Sequence, residues 1–231
     1  MKNTVSYSTK KRAISIAALL CCITALLFTF GSLMPSAKAQ TQSALAGPSI
    51  LILYDNDAPY GWLGSIYSLK LENLLGHFDA KVTRKALADY SSGDLAANDA
   101  TFYLGSVWRS QPMPGSMTVD MDANTKPFVW MGVNLWCYAW DMATCAWRQD
   151  FNQRYGIQVA YYSGENHPKV IYKDTELQKE LFDPGITRLV VTDPSKVAVR
   201  AKCLDASGTE WPYITQSGNF WFVADMPIVS T

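Results

Sequence analysis

Apolar and polar positions alternate along the chain in two regimes. Ser49–Tyr54 is a continuous apolar run that stops at Asp55-Asn56-Asp57, the pattern of a strand buried on both faces of a parallel sheet. From Gly61 to Phe78, Leu63, Ile66, Tyr67, Leu71, Leu74, Leu75 and Phe78 recur at three- and four-residue steps. That spacing predicts a helix with one buried stripe, and Gly76 favours its end. Residues 80–86, 100–104 and 128–133 predict three further strands. Pro112 and Pro114 mark a loop, and residues 143–155 predict a second helix ending at Gly156. After about residue 157 the rhythm changes. Short strand candidates at 157–162, 169–172, 187–192, 196–204, 211–216 and 220–224 are separated by turns such as Pro184-Gly185, Ser207-Gly208 and Ser217-Gly218-Asn219.

This order predicts an α/β fold: an open, flavodoxin-like, mostly parallel sheet over 49–156, followed by a small antiparallel β unit over 157–231. Ahead of it, Lys10-Lys11-Arg12, the apolar stretch Ala13–Phe30 and Ala37-Lys38-Ala39 have the build of a secretory signal peptide over 1–39. Residues 40–48 read as a linker. A retained membrane anchor is the competing reading, since about 18 apolar residues nearly span a bilayer. A lipoprotein site at Cys21 is disfavoured by the bulk of Leu20. The expected location is therefore periplasmic or extracellular, with no stable membrane anchor once the signal is removed.

The chain carries 20 basic and 20 acidic residues. Five of the basic residues and none of the acids fall in 1–39, so the remainder is mildly acidic. An acidic surface argues against nucleic acid as a partner. Export also bears on Cys137, Cys145 and Cys203. Cys137 and Cys145 are close enough in sequence for a disulfide in an oxidising compartment. Three buried thiols are the alternative.

Most chemical motifs are missing. No Gly-x-Gly-x-x-Gly or phosphate loop follows a strand, and there is no Gly-x-Ser-x-Gly elbow. His77 and His167 have no metal-ligand spacing. No cofactor or metal is therefore implied. Cys137 follows the fourth strand, where amidotransferase-like enzymes carry a nucleophile, but it lacks flanking glycines and only His77 or His167 could serve as its base. What remains lies at strand ends: Asp55, Asp57, Tyr60 and Trp62; Ser106, Trp108 and Arg109; Asn134 and Trp136. Ligands of open α/β sheets bind at these ends. Tryptophan faces beside polar groups suit sugar rings; packing of the sheet edge is the plainer role for the same residues.

Several of these segments resemble a known family. Tyr54-Asp55, Gly61-Trp62-Leu63-Gly64, Leu74–Phe78, Phe102–Ser106, Lys126–Trp136 and Ser217–Pro227 are similar to the region that precedes the catalytic domain in exported bacterial polysaccharide-deacetylase-like proteins. The similarity spans roughly residues 50–228. It implies an accessory domain that contacts a cell-envelope glycan or a deacetylase catalytic domain. In such proteins the domain with the metal-binding aspartate and histidines comes next, and none of those residues falls on a position of this sequence. A metal-dependent deacetylase whose catalytic half lies outside this chain is the second reading. A Cys137-dependent amidotransferase-like enzyme is the third.

Overall fold

The computed structural model describes residues 47–57, 61–105, 113–179 and 185–225. The signal-peptide segment 1–39 and most of the linker lie outside them. Strand β1 (Ser49–Tyr54) is followed by helix α1 (Gly61–Leu75), which a 3₁₀ turn, Gly76–Phe78, closes. Then come β2 (Lys81–Ala86), α2 (Asp94–Ala97), β3 (Ala100–Leu104), α3 (Gly115–Ala123) and β4 (Phe128–Met131). Helix α4 (Trp136–Ala139), the hairpin β5 (Trp140–Asp141) and β6 (Ala146–Trp147), and α5 (Gln149–Tyr155) follow. The remaining strands are β7 (Ile157–Ser163), β8 (Lys169–Tyr172), β9 (Thr175–Gln178), β10 (Ile186–Val191), β11 (Ala198–Leu204), β12 (Glu210–Ser217) and β13 (Phe220–Val223).

Nine of these strands make one mixed sheet, in the order β2-β1-β3-β4-β13-β12-β11-β8-β9. This corrects the flavodoxin-like expectation. Strands β2, β1, β3, β4 and β13 run parallel, and the rest are antiparallel. The last strand, β13, returns to pair with β4 in the register Phe220↔Phe128 to Val223↔Met131. Most of the C-terminal strands (β8, β9, β11, β12 and β13) therefore extend the same sheet, while β7 and β10 pair as a separate ribbon. A doubly wound fold also needs a crossover helix between successive parallel strands. Between β2 and β3 the chain has only a 3₁₀ turn, Leu87–Asp89, and the four-residue α2.

Two hydrophobic layers flank the sheet. On one face α1 covers Ile52 and Leu104 with Leu63, helped by Tyr67, Leu71 and Leu75. The other face carries the larger core of Leu51, Leu53, Tyr103, Phe128, Trp130, Phe220 and Phe222. Tyr138, Phe151 and Tyr155 pack against it, as do Ile157 and Leu189 of the separate β7–β10 ribbon. Trp130 sits at the centre, fully buried, with the edge of Tyr103 at 4.6 Å, a favoured aromatic geometry.

Three further departures have local causes. The helix expected over 143–155 begins only at Gln149, because Trp140 and Trp147 meet across the β5–β6 hairpin with rings 5.0 Å apart. Helix α3 begins directly after Pro114 and buries Met117 and Met121, one helical turn apart. Strand β9 is exposed at every residue and has no apolar signal; Lys173 and Asp174, both at positive φ, turn it back onto β8.

The expected Cys137–Cys145 disulfide is not made. Cys145 is an exposed thiol at the turn of the β5–β6 hairpin, at φ 51°, where its Sγ donates to the Met142 carbonyl at 3.7 Å. Cys137 instead sits in α4 and packs against the main core.

Candidate functional site

The carboxyl ends of the parallel strands lie along one edge of the sheet, and the ladder runs to that edge. Asp55 N–H donates to the Leu104 carbonyl at 2.9 Å, Gly105 N–H to Met131 at 2.7 Å, and Gly132 N–H to Val223 at 3.1 Å. Just past β1 and β4, two polar side chains turn inward: Asp55 and Asn134 are both 0% exposed. The Asn134 amide is fully oriented. Its Oδ1 accepts from Trp130 Nε1 at 3.1 Å, and its Nδ2 donates to Tyr103 Oη at 2.9 Å and toward Asp55 Oδ2 at 3.4 Å. Four strand-end side chains thus share one buried network, which is strong when complete and costly when broken.

The glycines here make room for that network. A Cβ on Gly105 would stand 1.9 Å from Asn134 Oδ1, so only glycine admits the amide. Gly132 adopts φ 123°, a conformation that favours glycine, and turns the chain from β4 toward Asn134.

Further along the same edge lies a second polar centre. Asp225, just beyond β13 and fully buried, accepts from Tyr213 Oη at 2.5 Å and pairs with Lys179. Close by, Thr187 Oγ1 donates to the Val133 carbonyl. A third centre joins the β7–β10 ribbon to the turn after β11. Asp205 Oδ1 accepts from the Ser207 hydroxyl at 2.6 Å and from the N–H groups of Ser207 and Thr209 at 3.0 and 2.9 Å. Its Oδ2 accepts from Trp211 Nε1 at 3.1 Å and from Arg188 at 3.2 Å. The Ser207 hydroxyl foremost, with the Thr209 and Trp211 donors, holds the Asp205 carboxyl far below the usual carboxylate range.

Of the residues singled out in the sequence, the structure brings Asp55 and Asn134 together. Asp57 is half-buried beyond β1. Trp62 is 59% exposed in the first turn of α1, and Trp136 is half-buried at the start of α4. Tyr60, Ser106, Trp108 and Arg109 lie outside the described residues. Sequence reasoning missed Tyr103 and Trp130, whose rings read as core, and the Asp225, Arg188 and Asp205 centres. An arginine inside the apolar run Ile186–Val191 was the available signal for one of them.

Of the two histidines weighed as a base for Cys137, His77 is placed away from it. Helix α1 carries the chain back to the amino ends of the strands, so His77 stands at the opposite edge from Cys137. His167 Nε2 is 3.2 Å from the Arg188 guanidinium. Among the described residues no three His, Cys, Asp or Glu side chains gather as a metal site, and no helix is long and apolar enough to cross a membrane. At the amino edge a cleft of about 360 Å³ is lined by Asn124, Arg154, Lys196 and Asn219. Its two cations are already engaged, Arg154 by the Asp122 carbonyl and Lys196 by the Gln153 carbonyl.

Neither a protein-family model nor a curated protein matches the sequence. Among solved structures, the fold is similar to that of a ThuA-like protein from Bacteroides uniformis. The TM-score is 0.54 at 12% identity, covering 84% of this chain and 86% of that one. An exo-β-1,4-mannosidase from an Opitutaceae bacterium aligns with a TM-score of 0.49 at 10% identity, over 78% of this chain and 31% of its own. At such identities the first likeness concerns the fold alone.

Proposed function

We propose that this chain is a glycan-contacting accessory module of an exported polysaccharide-deacetylase-like protein, with its contact surface at the carboxyl edge of the sheet. The observation that carries the proposal is Trp62. This large ring, 59% exposed, stands in the first turn of α1 directly after the Asp55–Asp57 strand end. A sugar ring stacks its C–H face on such an indole while its hydroxyls take hydrogen bonds from neighbouring polar groups. The buried Asp55–Asn134 network supplies a rigid floor beneath that surface. Preorganised floors reduce the ordering cost of binding.

The proposal is tested by titrating the full chain with N-acetylglucosamine oligomers and following tryptophan emission. Saturable binding is expected, with Trp62→Ala weakening it about tenfold. Equal affinity of parent and variant would remove Trp62, and with it the reading.

A second reading has an observation of its own. Trp62, Ile66 and Leu69 recur at helical spacing on α1, and all three are exposed. A contiguous apolar stripe of this kind suits a protein partner, and the partner implied by the resemblance is a deacetylase catalytic domain. Ile66→Ser separates the two readings. It should leave oligomer binding unchanged under the first, and under the second it should weaken association of this chain with a deacetylase catalytic domain.

A further inference from the structure

We propose that Arg188 is the floor of a second ligand site, for the carboxylate of an acidic sugar residue such as a uronic acid, and that Glu165 holds the ligand's place there until it is displaced. The guanidinium of Arg188, with its side chain 5% exposed, lies over the Trp211 ring at 4.3 Å and over the Tyr161 ring at 5.3 Å. Its Nη1 donates to Tyr161 Oη. Its Nη2 faces Asp205 Oδ2 at 3.2 Å, His167 Nε2 at 3.2 Å and Glu165 Oε2 at 2.8 Å.

The two carboxylates are not equivalent. Asp205 is built in, since five donors converge on it from the turn, from Trp211 and from Arg188. Glu165 comes from the loop between β7 and β8, and its side chain is 65% exposed. An exposed ion pair of this kind is weak and easily exchanged. It also uses the arginine poorly. The Arg188 Nε–H is buried and meets no acceptor, although a carboxylate can take Nε and Nη2 together in a two-point grip. A ligand carboxylate replacing Glu165 recovers that second bond.

The walls identify the rest of the ligand. Tyr161 is 49% exposed and stands edge-on to Trp211 at 6.4 Å. A pyranose ring whose carboxylate reaches Arg188 can therefore lay its C–H face on Tyr161. Strand β11 runs parallel to β13, so the Asp205 turn lies on the same edge of the sheet as Asp55. Five strand spacings separate β1 from β11, roughly 24 Å. This site and Trp62 are thus far enough apart to be tested separately.

The probe is trigalacturonic acid, titrated calorimetrically into the full chain, with its methyl ester as the uncharged control. The acid should bind and the ester should not. Glu165→Gln should tighten the acid by about threefold, because a neutral amide competes less well for Arg188. Tyr161→Ala should weaken it about tenfold, and Trp62→Ala should leave it unchanged. Glu165 is exposed, so Glu165→Gln avoids the folding loss that replacing Arg188, or its hydroxyl partner Tyr161, risks. No binding of the acid, equal binding of the ester, or no gain in Glu165→Gln would overturn the proposal.

Discussion

Asn134→Ala is expected to lower the unfolding free energy by about 3 kcal/mol, read as a fall in the urea midpoint at unchanged slope. The asparagine is the hub of three contacts. Without it Trp130 Nε1 loses its acceptor, and the Tyr103 hydroxyl and the Asp55 carboxylate lose a donor, all inside a buried network. A buried polar group deprived of its partner costs about 1–3 kcal/mol, and a water admitted to the new space recovers part of the sum. Trp130→Phe removes one of the three contacts and keeps the ring, so its loss should be clearly smaller. If Asn134→Ala unfolds at the same urea concentration as the parent, the network is not the floor of this edge.

The second large effect concerns acid. Asp205 is held below the usual carboxylate range when folded, by the Ser207 hydroxyl first and then by the Thr209 and Trp211 donors. Its stabilising contribution is therefore complete above the unfolded value near pH 4, and is lost as pH falls from there toward the folded value. Asp205→Asn should be less stable than the parent at pH 7, because an amide nitrogen then faces donors. Below about pH 4 the gap between the two should narrow. Because the other carboxylates are common to both proteins, the difference isolates this one. Urea unfolding at pH 7, 4 and 2.5 reads it, and a gap constant across that range would contradict the assignment.

Much of the sheet was legible from local pattern. The apolar run of β1 and the three- and four-residue rhythm of α1 are dictated by burial on both faces of a strand and on one side of a helix. Asp55 and Asn134 were legible for a related reason, since polar residues ending an apolar run mark the edge where ligands bind. The long-range pairing was not. Nothing in Phe220–Val223 says that it returns to β4 in parallel instead of closing a separate antiparallel unit, because strand pairing is decided by the whole sheet. Tyr103 and Trp130 read only as core, since the polar atoms of buried rings leave no trace in a hydropathy pattern. The helical stripe was misjudged in extent: Ile66, Leu74 and Phe78 face outward, and only Leu63 is deeply buried. Arg188 shows the opposite error. A single charge in an apolar strand carries no periodic signal, yet it ties the β7–β10 ribbon to the turn after β11.

The central claim is that a glycan meets this protein at the carboxyl edge of the parallel strands. Amide hydrogen exchange, with and without saturating N-acetylglucosamine oligomers, tests it most directly. The account predicts slowed exchange at Asp55–Asp57, at the first turn of α1 around Trp62, and at Gly132–Trp136. Protection confined to the amino-edge cleft around Asn124 and Asn219, with the carboxyl edge unchanged, would contradict it.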